Sequence, residues 1–191
     1  MIIIKIIVVD YRLEAKNAKT FIEAMEKRGL VSVTAPSVVD DLSGPRVIVT
    51  EWIQGTRLDV DASPDVPRLC SVAINAYLTM LLDTGILHCD PHPGNLLRTV
   101  DGRLCILDWG MTLNVPKDLQ YALLEFIAHI NVEDFNALPA DFVNLGFSPS
   151  NKLEQLKSSG LTEGLSFALR QLNKGGGPGK NNTFLSFLFQ Y

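Results

Sequence analysis

One stretch, HCDPHPGNLLRTVDGRLCILDWG from His88 to Gly110, constrains the fold of this chain more than any other. NLLRT and RLCILD are β-rich runs on either side of VDG, and an Asp-Gly pair between such runs signals a tight hairpin. Polar groups crowd the two ends of that hairpin: His88, Asp90, His92 and Asn95 precede it, and Asp108 follows it. Folding the chain back on itself therefore sets Asp108 beside the loop that carries Asn95. A turn needs Gly, Pro, Asn and Asp, but not in this order. An Asn carbonyl and a carboxylate converging on one point supply oxygen ligands suited to Mg²⁺. Asp90, slightly off that point, is free to take or orient the proton of an attacking hydroxyl, which is the division of labour in phosphoryl transfer. Pro91, Pro93 and Gly94 stiffen and bend the loop that holds these groups. A zinc reading of His88, Cys89 and His92 fits no common structural pattern. Cys89 and Cys105 are not expected to be reactive thiols, on the expectation that no cationic neighbour lowers their pKa.

Upstream, DYRLEAKNAKTFIEAMEKRG reads as a helix of about five turns closed by Gly29. Ala18, Phe21, Ile22 and Met25 share one face, and Glu14 lies on that same face. A carboxylate on a buried stripe is costly unless a cation meets it; the plainer alternative is a wet carboxylate near the helix end. LVSVTAPSVV and PRVIVTEWI, joined by DDLSG, predict a second hairpin whose last part, GTRL, leaves the sheet. The acidic DVDASPDV run after it reads as a solvated loop. Val66 to Thr84 form an apolar helix with Leu69, Val72, Ala73, Ala76, Tyr77, Met80 and Leu81 inward, capped by Gly85. Pro116 suits the first position of a further helix, KDLQYALLEFIAHI. Helical character continues to about Asn173, with breaks near Pro139, Pro149 and Gly160. KGGGPGKNN reads as a flexible connection or tail.

Composition bounds the partners. The 191 residues suit one domain or one lobe of something larger. A net charge of -4 without a basic block argues against nucleic acid. Three cysteines without metal spacing fit a reducing compartment. No stretch reaches the roughly 18 apolar residues of a membrane span. The apolar start MIIIKIIVV and the apolar end TFLSFLFQY both read as edges of an incomplete chain.

HCDPHPGN followed by LDWG resembles the catalytic and metal loops of kinase-like folds. Together with the DYRLEAKN helix and the VTEWIQG strand, it resembles the UbiB/ADCK family of atypical kinases over roughly residues 10 to 150. The resemblance implies an α+β, protein-kinase-like fold, with a mostly helical C-lobe and a remnant N-lobe helix and hairpin. It divides the chain into an atypical start (1–9), an N-lobe remnant ending in the hinge (10–57), a C-lobe (58–173) and a Gly-rich tail (174–191). It implies ATP and Mg²⁺ as cofactors, Asp90 as the catalytic aspartate, Asn95 and Asp108 as metal ligands, and His88 as a structural brace. Glu14 becomes the helix glutamate that pairs with a strand lysine. Thr50 to Ile53 become the hinge, with the backbone at Glu51 and Ile53 holding adenine.

The nucleotide loop, the strand lysine and the KxGQ segment of that family are absent, Val8 stands at an acidic position, and Trp109 replaces the usual Phe. The polypeptide alone is accordingly expected to bind ATP weakly and turn it over poorly. Only MTLNV lies between Gly110 and Pro116, too little for the activation segment that orders a peptide in protein kinases. A small or lipid-like acceptor, or plain ATP hydrolysis, is expected instead. The resemblance implies prenyl-quinone or isoprenoid-lipid metabolism, peripheral association with a membrane or lipid droplet, and a chloroplast setting ahead of a mitochondrial one. Two alternatives stay open: a non-catalytic truncated scaffold, and a small-molecule phosphotransferase of the aminoglycoside or choline kinase type.

Overall fold

The computed structural model describes residues 10–160 and 162–167. The expected atypical start and Gly-rich tail lie outside them, as does the expected helical stretch from 168 to 173. The chain falls into two units, which meet in sequence between Val115 and Pro116.

The first unit begins with α1 (Tyr11–Lys27), opened by the Asp10 side chain accepting from the Arg12 N–H. This is an ordinary N-cap, because the first turn has no helical partners for its N–H groups. Its inward face is Ala18, Phe21 and Met25, with Ile22 partly buried beside them, as the spacing predicts. A four-stranded sheet comes next in the order β1-β5-β4-β2, built from β1 (Val33–Thr34), β2 (Gly55–Arg57), β4 (Leu96–Thr99) and β5 (Leu104–Ile106). Between β2 and β4 come α2 (Val66–Thr79), a wide five-residue turn at Met80–Thr84, and β3 (Ile86–His88). Gly85 ends that run at φ 72°, the left-handed cap expected of it. β3 pairs antiparallel with β6 (Thr112–Asn114) in a separate two-stranded sheet. One core holds the unit together: Phe21 and Met25 from α1, Leu69, Ala73 and Met80 from the α2 region, Leu104 and Ile106 from β5, and Trp109.

The hairpin around VDG forms as predicted, pairing Leu96 with Ile106 and Arg98 with Leu104. The other predicted hairpin is reduced to fragments. Val38 and Thr50 form an isolated bridge, flanked by Val39 N–H to Val49 O and Glu51 N–H to Ser37 O, both 2.8 Å. Pro36 interrupts the first run and cannot donate to a ladder, so the part before it, Val33–Thr34, pairs in parallel with β5 instead. GTRL does not leave the sheet: Gly55–Arg57 is its edge strand, antiparallel to β4. Nor is the acidic run after it simply solvated. The Asp61 side chain is only 3% exposed and accepts from the Arg98 guanidinium and the Ser63 N–H. The Arg98 bond, more than the Ser63 N–H, lowers its carboxyl to about 2.

In the second unit, α3 (Lys117–Asn131), α4 (Leu138–Asn144) and α5 (Leu153–Lys157) succeed one another. Pro116 is the residue just before α3 rather than its first helical residue. Ile130, Phe135 and Leu138 are buried together, with Phe126 and Leu165 packed against them. His129 Nδ1 lies 2.9 Å from the buried Asp141 carboxylate, a bond that raises the imidazole above its usual range.

The close approach of β2 to β4 depends on Gly55, where an added Cβ would lie 2.2 Å from the Arg98 carbonyl oxygen. Gly55→Ala should cost roughly 1–3 kcal/mol, the range of an overpacked contact. Gly44→Ala, where a Cβ meets nothing within 4 Å, is the matched control and should be near neutral. Urea denaturation of both variants checks this.

Candidate active site

The β4–β5 pairing brings the two polar ends of the central stretch together. Beyond the Leu96–Ile106 pair, the Leu107 N–H donates to the Asn95 carbonyl at 2.8 Å, so the residues bearing the Asn95 and Asp108 side chains leave the hairpin side by side. A short turn at Pro93–Asn95, capped by His92 accepting from the Gly94 N–H, delivers Asn95 to that point. Asn95 Nδ2 donates to Asp90 Oδ2 at 2.7 Å and also approaches the Asp90 carbonyl at 3.3 Å. With the nitrogen spent on Asp90, the amide oxygen of Asn95 is the atom available to a cation.

His88 ties this loop to the next. It is 1% exposed, and its Nε2–H donates to the carbonyls of Asp108 (2.7 Å) and Leu107 (3.1 Å). Carbonyls only accept, so the hydrogen sits on Nε2 and Nδ1 is an acceptor. Nδ1 receives the Asp90 N–H at 3.2 Å and faces the Tyr77 hydroxyl at 3.3 Å. Burial, more than the nearby Asp90 and Cys89, pushes the Tyr77 phenol above its usual range, so it stays a neutral donor. Trp109 stacks edge-on to His88 with centroids 4.9 Å apart, and packs on Phe21 at 4.4 Å. Its indole N–H donates to the Ile106 carbonyl. The larger ring in the place of Phe is thus buried and satisfied.

Asp108 has φ 57°, a left-handed conformation uncommon outside glycine. Its Oδ1 accepts from the Gly110 N–H at 3.4 Å. Glu14, on the first turn of α1, faces the same place. A Cβ on Gly110 would lie 3.3 Å from both Asp108 Oδ1 and Glu14 Oε2, so the two carboxylates converge over this glycine. They line a cleft of about 540 Å³ with Tyr11, Gly110 and Met111. Glu14 is raised above the usual carboxylate range, first by burial and then by Asp108, against the lowering effect of the Trp109 backbone N–H. Two like charges meeting at one edge of a cleft favour a cation there. Mg²⁺ commonly takes one or two carboxylates and completes its shell with water and phosphate. Asp108 and the Asn95 amide oxygen fit that donor set, although no trio of His, Cys, Asp or Glu that could hold a metal occurs among the described residues.

The six residues singled out from sequence therefore fall into three places. Asp90 and Asn95 are bonded to each other, and Glu14 and Asp108 face each other over Gly110. Glu51 and Ile53 stand apart, on the segment that leads from the Val38–Thr50 bridge to β2. The Glu51 N–H is already bonded to Ser37, and its carboxylate adds slightly to the effect of burial in pushing the Cys105 thiol up to about 12. Sequence reasoning did not give Asn17 or Tyr77 a role. Asn17 sits inside the DYRLEAKN motif, one turn after Glu14, and its burial on a helix is the signal that would have marked it.

With Glu14 above its unfolded-state value, the folded form binds more protons, so its contribution favours folding below about pH 4.5 and is lost as pH rises through the raised value. Glu14→Gln keeps an oxygen for the Trp109 N–H and removes the charge. Thermal melts should show the variant a few degrees more stable than wild type at pH 7.5, with the gap closing near pH 4. An equal gap at both pH values would contradict the Glu14–Asp108 repulsion.

Comparison with known proteins shows the family. Residues 7–141 match the ABC1 atypical kinase-like domain. The chain is 36% identical over 143 residues to Protein ACTIVITY OF BC1 COMPLEX KINASE 1, chloroplastic, of Arabidopsis thaliana, covering 72% of this chain and 21% of that protein. An uncharacterized aarF domain-containing protein kinase, also named chloroplastic and from the same plant, is 35% identical over 156 residues, covering 81% of this chain and 22% of its own length. The chain thus spans about a fifth of the length of these curated relatives. Among solved structures, the complex of Rv3197 with erythromycin from Mycobacterium tuberculosis superposes with a TM-score of 0.53 at 28% identity, over 70% of this chain and 34% of that one.

Proposed function

The chain belongs to the ABC1 atypical kinase-like family, and from that premise we propose that it binds ATP with Mg²⁺ and serves phosphoryl transfer or ATP hydrolysis on a small or lipid-like acceptor. The observation that carries the reading is the bonded Asp90–Asn95 pair, with the Asn95 backbone hydrogen-bonded to Leu107, the residue before Asp108. In this reading Asp108 and the Asn95 amide oxygen hold the cation, which when bound neutralises phosphate oxygens. Asp90, kept in place by the Asn95 amide and by its own N–H on His88, orients the acceptor hydroxyl and receives its proton. The Glu51 N–H is occupied by Ser37, so the Glu51 carbonyl and the Ile53 N–H are the hinge atoms assigned to adenine. Glu14 would take a lysine as its partner.

The acceptor class rests on the segment just beyond the metal loop. Thr112–Asn114 is not a platform for a peptide but a strand paired with β3, joined to it further by the Cys89 N–H on the Met111 carbonyl. Met111 and Leu113, both exposed, put apolar surface beside the cleft, which suits a lipid-like molecule. Prenyl-quinone or isoprenoid-lipid chemistry in the chloroplast is the setting proposed, supported by relatives named chloroplastic. No helix among the described residues is long and apolar enough to cross a membrane, so lipid contact would be peripheral. A scaffold that binds nucleotide without turnover is the second reading, favoured because Glu14 faces a carboxylate rather than a cation among the described residues.

Calorimetric titration with ATP and Mg²⁺ tests the proposal. Asp108→Asn should weaken Mg²⁺-dependent binding at least about tenfold, the scale of a lost charged ligand contact of roughly 1.4 kcal/mol or more. Asp90→Asn should leave binding in place and abolish turnover. Equal affinity of wild type and Asp108→Asn would remove the metal role, and binding without turnover by wild type would select the scaffold.

A further inference from the structure

Asp108 keeps a left-handed backbone, and the surrounding structure must hold it there. The two peptide groups after it are both held. The peptide between Asp108 and Trp109 has its carbonyl on His88 Nε2. The peptide between Trp109 and Gly110 has its N–H on Asp108 Oδ1 and its carbonyl on Asn17, whose Nδ2 lies 3.1 Å from it. The second hydrogen of that same Nδ2 reaches Thr112 Oγ1 at 2.8 Å. Asn17 is buried, and its bond to the Trp109 carbonyl is made away from competing water.

The Trp109–Gly110 peptide is therefore a rigid lever with Asn17 at one end and the carboxylate of Asp108 at the other. A peptide is planar, so turning its carbonyl away from Asn17 also turns the Gly110 N–H away from Asp108 Oδ1. Glu14 and Asn17 are three residues apart on α1 and share a face, which makes the seating of one helix the reference both for this peptide and for the carboxylate that faces Asp108. We infer that Asn17 is a positioning residue, which aims the Asp108 carboxylate by holding the Trp109 carbonyl, with Thr112 fixing the amide that does so. Asn17 itself touches neither metal nor nucleotide. The inference rests on the reading of Asp108 as a metal ligand.

The test uses the whole chain and Mn²⁺ as the probe, with the free ion counted by electron paramagnetic resonance and folding followed by circular dichroism. Asn17→Leu has a similar volume and no amide. It should weaken Mn²⁺ binding on the order of tenfold or more, as the loss of residues that orient metal ligands does, at a temperature where the fold is intact. Thr112→Val should weaken it less and in the same direction, and Thr112→Ser should restore it. A purely structural Asn17 would lower the melting temperature and leave Mn²⁺ affinity at the wild-type value, which overturns the inference. If Asn17→Leu does not fold, the Thr112 pair decides: Val weaker than Ser supports the lever, and equal affinities refute it. If wild type and Asp108→Asn bind Mn²⁺ alike, the metal reading of Asp108 has failed, and the inference falls with it.

Discussion

His88 is a buried imidazole whose two nitrogens serve two different loops, and the arrangement of the site depends on that assignment. Nε2 donates to the carbonyls of Leu107 and Asp108, so Nδ1 must accept, and the partner it accepts from is the Asp90 N–H. A ring with the hydrogen on the other nitrogen would face two carbonyls with a lone pair and the Asp90 N–H with a hydrogen. Each such mismatch leaves a buried group unsatisfied, at about 1–3 kcal/mol. Tyr77 reinforces the same assignment from α2, because its phenol, kept neutral by burial, has a hydrogen to offer Nδ1. The loop with the proposed base and the loop with the proposed metal ligand are thereby fixed relative to one another through a single side chain.

Electrostatics around Asp108 run against stability. Glu14 and Asp108 converge over Gly110, and burial adds to the cost of the Glu14 charge. A folding unit optimised for stability alone would have placed a neutral group there. The same unit also contains a satisfied acidic group: Asp61 is almost wholly covered, yet Arg98 and the Ser63 N–H hold it well below the ordinary carboxylate range. Among the described residues, one carboxylate has its cation within the fold and the other faces a like charge. That contrast separates a structural ion pair from the proposed cation site.

The parts of this fold that were legible in the sequence are those fixed by local periodicity and turn chemistry. α1 and α2 announced their buried faces at helical spacing, Gly85 marked the end of the second, and VDG marked its hairpin. The illegible parts depended on partners distant along the chain. Val33–Thr34 pairs in parallel with a strand about seventy residues later, and nothing in its own composition says so. Gly55–Arg57 reads as an exit from the sheet until Arg98 supplies the carbonyl that only a glycine can approach so closely. Asp61 reads as one more acid in a polar run, because Arg98 lies thirty-seven residues away. Asn17 lay within a recognised motif, but its worth is visible only when the Trp109 carbonyl is seen in front of it.

All the elements that carry the site belong to the first unit: α1, α2, β3, the β4–β5 hairpin and β6. Their shared core explains why. Phe21 of α1 and His88 at the end of β3 both pack on Trp109, whose indole N–H is held by Ile106 at the end of β5. Trp109 is also the residue whose carbonyl Asn17 holds. The side chain therefore anchors the proposed metal loop in the core while its carbonyl ties that loop to α1. Packing and the proposed site geometry meet in one residue, so a change that loosens the core beneath Trp109 acts on the neighbouring Asp108. The indole deepens that anchorage, because beyond its buried ring it has an N–H, which the Ile106 carbonyl satisfies.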